Sequence, residues 1–142
     1  MEISSIESEI NVFGFQVKTF PEGVGDAFDS LIEKVPEGLN RSYFGISRME
    51  EDKIIYIAAV EEKDKHEAKK YNCERYTILK GEYLTVTITH WRTKLESIKE
   101  VFHEMMKSSA ADLRHPCIEW YKNDEEMECM VKVSRHTEVF RN

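Results

Sequence analysis

Slid along itself by 74 positions, this chain meets its own apolar pattern. Phe28 falls on Phe102, Val24 on Ile98 and Leu31 on Met105. Further along, Phe44 falls on Ile118, Ile46 on Trp120, Ile57 on Val131 and Ala59 on Val133. A repeat of this length is a whole supersecondary unit used twice, so it limits the fold more than any single motif does. The unit reads strand–helix–strand–strand. Ile10 to Phe20 alternates as a strand and Pro21 stops it. Val24, Ala27, Phe28, Leu31, Ile32 and Val35 then recur at three- and four-residue spacing, the apolar stripe of a helix that ends at Pro36–Gly38. "SYFGISRM" and "KIIYIAAVE" follow as a hairpin across the acidic turn "EED".

The second copy opens with "RYTILKG" and "EYLTVTITHW", in which Leu84, Val86 and Ile88 alternate with Thr85, Thr87 and Thr89. Its helix carries Leu95, Ile98, Val101, Phe102, Met105 and Met106 on one face. After the loop "SSAADLRHP", a hairpin from "CIEWYK" to "MECMVKVS" turns at "NDEE". The expected fold is therefore α+β: a duplicated strand–helix–strand–strand module, antiparallel sheets with two helices, and a central cleft about a pseudo-two-fold axis where a ligand can sit. One domain spans 1–142, with a first repeat over about 10–62, a charged linker over 61–74, a second repeat over about 75–135 and a tail at 136–142.

Charge narrows the function classes. The net charge is −7, from 20 basic and 27 acidic residues, with no basic cluster of the kind a nucleic-acid surface needs. The mixed-sign run "EEKDKHEAKK" reads as a solvated linker. The longest apolar run, "IIYIAAV", is too short to span a bilayer. "MEISSIESEI" has no basic leader, so a cytoplasmic location is the expectation. Cys73, Cys117 and Cys129 form no CxxC pair and read as buried apolar thiols; His66, His90, His103, His115 and His136 are scattered. No metal or cofactor is expected.

One residue breaks its surroundings. In "CIEWY", Glu119 stands between Ile118 and Trp120. Under the 74-residue shift Ile118 and Trp120 match Phe44 and Ile46, which suggests that these four share the face beneath the helices. Cys117, Glu119 and Tyr121 then point the other way, beside Tyr43, Gly45 and Ser47. On pattern alone, Glu119 is either a rim carboxylate paired with a lysine such as Lys132, or a charge in a cleft that awaits a cation.

These segments together resemble the gyrase-inhibitor-like (GyrI-like) family, the effector-binding domain of bacterial multidrug-responsive transcription activators. "KGEYLTVTITH" is similar to that family's Gly-x-Tyr strand, "IIYIAAVEE" to the strand with a pocket tyrosine, and "CIEWYKNDEEMECMVKV" to its closing hairpin. The resemblance covers roughly Phe13 to Ser134. It implies a small-molecule binder for cationic, lipophilic or aromatic ligands, with Glu119 as the cation-binding acid and Tyr56 and Tyr83 as pocket aromatics. Trp91 stands where many relatives carry a small residue; Tyr121, Tyr43 and Gly45 complete the expected lining. The first strand starts too early to leave room for a helix-turn-helix, so a stand-alone effector domain is expected, with a transcription regulator or other protein as its partner. An aromatic-lined carboxylate suits such a ligand, because a cation restores charge to a desolvated acid and is attracted to ring faces. Two other readings remain open. One is a small hydrolase using Glu119 with Glu61 or Glu62 and Trp91; the other is a protein-interaction module of gyrase-inhibitor type. The oligomeric state is open as well.

Overall fold

In a computed structural model that describes residues 1–134, the chain forms one eight-stranded antiparallel sheet with three helices. The tail at 136–142, with His136, lies outside the described residues. The strands are β1 (Glu2–Ile6), β2 (Ile10–Gln16), β3 (Tyr43–Glu50), β4 (Lys53–Glu61), β5 (Glu74–Ile78), β6 (Gly81–Thr89), β7 (Cys117–Tyr121) and β8 (Glu126–Lys132). Helices α1 (Val24–Lys34) and α3 (Leu95–Met106) are the two expected from periodicity; α2 (Glu67–Lys70) is a single extra turn.

The strand order, β1-β6-β8-β7-β3-β4-β2-β5, contains the duplication. The first unit supplies β3-β4-β2 and the second β7-β8-β6, and the two meet where β3 pairs with β7. That junction has Gly45 opposite Glu119, flanked by Phe44↔Trp120 and Ile46↔Ile118. A shift of 74 carries each of these pairs onto another in the same ladder, so the pseudo-two-fold axis passes between Gly45 and Glu119. The outer strands trade places: β1 pairs with β6 of the other unit, and β5 with β2.

This exchange dictates the shape. Only Leu79 and Lys80 link β5, on one edge of the sheet, to β6, next to the other edge. A link of two residues spans only a few ångströms, so the sheet must curl to bring its ends together. The curl encloses one apolar cluster: Phe44, Ile46, Ile57, Ala59, Ile78, Tyr83, Ile118 and Met130, with Trp120 against it. The helices pack on the outer face. Ala27 and Leu31 of α1 meet Phe13, Tyr43, Tyr56, Ala58 and Val60; Ile98, Phe102 and Met105 of α3 meet Leu84, Ile88, Met127, Cys129 and Val131.

Two expectations are corrected here. Phe44, Ile46, Ile118 and Trp120 do share a face, but it is the inside of the curl and not the face under the helices. Cys117, Glu119 and Tyr121 therefore lie on the helix side. The 74-residue match also fails in the last strand. Ile57 pairs with Ile46, the mate of Trp120, and Trp120 pairs with Glu128. The second hairpin turns three residues early, so Ile57 corresponds to Glu128 and Ala59 to Met130; Val131 and Val133 face α3 instead.

The charged stretch between the units does more than bridge them. Arg41 and Glu67 form a buried two-pronged ion pair at 3.0 and 2.7 Å, and Glu67 also accepts the Lys63 and Asp64 N–H groups. Burial alone would push the Glu67 carboxyl up, but the guanidinium and these N–H donors together hold it below its ordinary value.

Candidate functional site

α1 packs on β4 and α3 on β8, which leaves the central β3–β7 pair uncovered between the helices. The result is an open cleft of about 2450 Å³ with the helices as walls. Its floor is formed by the outward residues of the two middle strands, and Glu119 lies at its centre beside the pseudo-two-fold axis.

The Glu119 side chain is fixed by two phenols. Tyr56, from β4, donates to Glu119 Oε1 at 2.7 Å, and Tyr121, from the same strand as Glu119, donates to that oxygen at 2.8 Å. Oε2 has no partner among the described residues, and Glu119 makes no ion pair among them. Burial pushes the Glu119 carboxyl up, against the pull of the two phenolic hydrogen bonds. Burial and the nearby carboxylate together drive both phenols well above the ordinary tyrosine value, so they remain donors. Lys132, the lysine proposed as partner, is elsewhere: its Nζ lies over the Tyr83 ring, 5.4 Å from the centroid.

Aromatic rings frame the carboxylate. Tyr56 stacks on Phe20 at 4.8 Å. Tyr121 meets Phe28 edge-on at 5.7 Å and Trp91 at 4.8 Å. Trp91 is half-buried at the mouth, its indole N–H donating to Asn123 O at 2.8 Å and the Arg92 guanidinium over its ring. Tyr43 lines the same floor and donates to Gly38 O at 2.7 Å.

The structure thus brings together Glu119, Tyr56, Tyr121, Trp91, Tyr43 and Gly45. It does not bring in Tyr83, which is 2% exposed inside the curl and donates to Leu79 O. Trp91 meets Tyr121 and neither Tyr83 nor Tyr56. Glu61 is also elsewhere: its carboxylate accepts the Ser42 N–H at 2.9 Å, while Glu62 is forked to Arg75. Neither lines the cleft. Phe20 and Phe28 were missed as site residues. Phe28 had a signal, since its repeat mate Phe102 lines the opposite wall. Cys117 and Cys129 are free thiols beside Glu119, pushed up by burial and by that carboxylate to about 11 and about 12.

No protein-family model matches the sequence, and no curated protein sequence matches it. Solved structures do. An integron cassette protein from the mobile metagenome of Vibrio cholerae is similar at 14% identity and a TM-score of 0.67, over 94% of this chain and 95% of that one. The protein SAV2435, solved bound to tetraphenylphosphonium, is similar at 13% identity and a TM-score of 0.64, over 95% of each chain. The EcmrR C-terminal domain is similar at 14% identity and a TM-score of 0.58, over 94% of this chain and 96% of that one. All three have the GyrI-like fold, and so does this chain.

Proposed function

We propose that this chain binds lipophilic organic cations in the cleft between its helices, with Glu119 as the counter-charge. One observation carries the reading: an inset carboxylate held by two phenols, with no cation paired to it among the described residues. An unpaired acid in such a setting is costly to ionise. A bound cation supplies the missing charge, and Tyr121, Trp91, Phe20 and Phe28 supply ring surface, each cation–ring contact worth roughly 0.5–2 kcal/mol. The shared fold with SAV2435, which was solved with a lipophilic cation, supports the same ligand class. The three free cysteines fit a reducing compartment, the cytoplasm.

Trp91 offers a direct readout, since the chain has two tryptophans and only Trp91 lines the cleft. In a Trp120→Phe background, tetraphenylphosphonium is expected to change Trp91 emission saturably. A linear, unsaturable change would contradict the proposal.

A further inference from the structure

Tyr56 and Glu119 reach each other across a strand. Tyr56 belongs to β4 and Glu119 to β7, and β3 runs between them. The hydrogen bond that joins them passes over β3 at Gly45, which is the ladder partner of Ala58 on one side and of Glu119 on the other. A Cβ on Gly45 would overlap both Tyr56 Oη and Glu119 Oε1 and lie 2.7 Å from Tyr56 Cζ. Glu119 ends in a flexible chain, but Tyr56 does not yield easily: its ring is 2% exposed and stacked on Phe20.

The backbone does not ask for glycine here. Gly45 is not among the residues with positive φ, and a glycine inside a central strand weakens it. Space is what remains. Nor does the other half of the repeat build the same contact. Through the ladder, Tyr56 corresponds to Met127 and Tyr121 to Ser47, so both phenols serve Glu119 alone.

We propose that Gly45 is a positioning residue for Glu119: its bare Cα is the gap through which the Tyr56 hydroxyl crosses β3 to hold the carboxylate. A side chain at 45 then separates the two groups and leaves Glu119 to Tyr121 alone. The effect on affinity rests on the cation-binding reading above; the effect on the carboxylate itself does not.

The titratable groups facing Glu119 are Tyr56 on β4, Cys117 and Tyr121 on β7, and Cys129 on β8. Asp29 of α1 and Glu96, Lys99, Glu100, His103 and Glu104 of α3 line the same cleft. A site-resolved readout is therefore needed. Carbon-13 NMR of the empty protein follows the Glu119 carboxyl directly, assigned by its loss in Glu119→Gln. Gly45→Ala is expected to move its titration midpoint up by about one pH unit, the scale of one charge-assisted hydrogen bond. Tyr56→Phe should move it by a similar amount. The double variant should move it no further than Tyr56→Phe does, because the new methyl occupies the space of the missing oxygen.

Affinity for tetraphenylphosphonium gives the second arm. The pH below which the cation is released should rise with the NMR midpoint, so that binding on the acid limb is about tenfold weaker per pH unit. An unmoved midpoint in Gly45→Ala, or full additivity with Tyr56→Phe, would overturn the proposal. If Gly45→Ala does not fold, the double variant decides. Its folding with the Tyr56→Phe midpoint supports the gap, and its failure to fold assigns Gly45 to packing and overturns the gap. A wild-type protein that binds no cation would sink the function proposed above, while the NMR arm would still decide the role of Gly45.

Discussion

Removing the charge of Glu119 should make the empty protein more stable, and only at high enough pH. Glu119 is half-buried on the cleft floor, and ionising a carboxylate partly withdrawn from water carries a penalty of up to several kcal/mol after relaxation. Against it stand two phenolic hydrogen bonds, at 2.7 and 2.8 Å, each worth about 1.5–3 kcal/mol when the acceptor is charged. The two sides nearly cancel, and a glutamine keeps an acceptor for both phenols without the charge. The net gain for Glu119→Gln is on the order of 1 kcal/mol, or about 3 °C in Tm for a chain of this size. The sign with pH follows from the direction of the shift. Burial raises the folded-state pKa of Glu119, so the folded protein holds this proton more tightly than the unfolded chain does. The stability this gives is fully present below the ordinary carboxylate value and is lost as pH rises through the raised folded one. Thermal denaturation without ligand should therefore show the variant and the wild type melting together near about pH 4 and separating by about 3 °C near about pH 8. A difference of the same size at every pH, or a variant that becomes relatively less stable as pH rises, would show that burial does not raise the Glu119 carboxyl.

Arg41→Met leaves Glu67 buried without its partner and should lower the unfolding free energy by about 3–5 kcal/mol in urea titrations, while Arg41→Met with Glu67→Gln, which removes the charge and keeps an acceptor for the Lys63 and Asp64 N–H groups, should recover part of it. Arg114 grips Asp112 with both prongs of its guanidinium and holds that carboxyl well below the ordinary range. Asp112→Asn should accordingly lower Tm at neutral pH, and the difference should begin to fade below about pH 4, where the unfolded chain takes up its proton, and vanish only as pH falls through the depressed folded-state value.

The repeat was legible because helix spacing and a 74-residue shift are properties of one strand or helix at a time. The face of Glu119 was not. Alternation separates Ile118 and Trp120 from Glu119 but does not say which side the helices take, and here both faces of β3 and β7 carry apolar or aromatic side chains, Phe44 and Ile118 inside the curl and Tyr43 and Tyr121 on the floor of the open cleft. Glu119 reached the cleft floor although the face assigned to its neighbours was inverted. Tyr83 was misplaced because it alternates with Leu84, and Leu84 faces α3. The early turn of the second hairpin escaped notice because Val131 and Val133 are as apolar as Ile57 and Ala59. Strand β1 escaped too: "EISSI" is short, and its partner β6 belongs to the other unit. The rings that Phe20 and Phe28 add beside Tyr56 and Tyr121 depend on contacts between distant segments that periodicity does not encode.

If Glu119 is the charge partner of a bound cation, removing its charge must separate cationic from neutral ligands. The most direct measurement is calorimetric titration of wild type and Glu119→Gln with tetraphenylphosphonium and with neutral triphenylphosphine oxide. The substitution is expected to weaken binding of the cation by about 1.5–3 kcal/mol, roughly 10- to 150-fold, and to leave the neutral compound unchanged. Equal losses for both compounds, or a wild-type protein that takes up the neutral compound and not the cation, would contradict it.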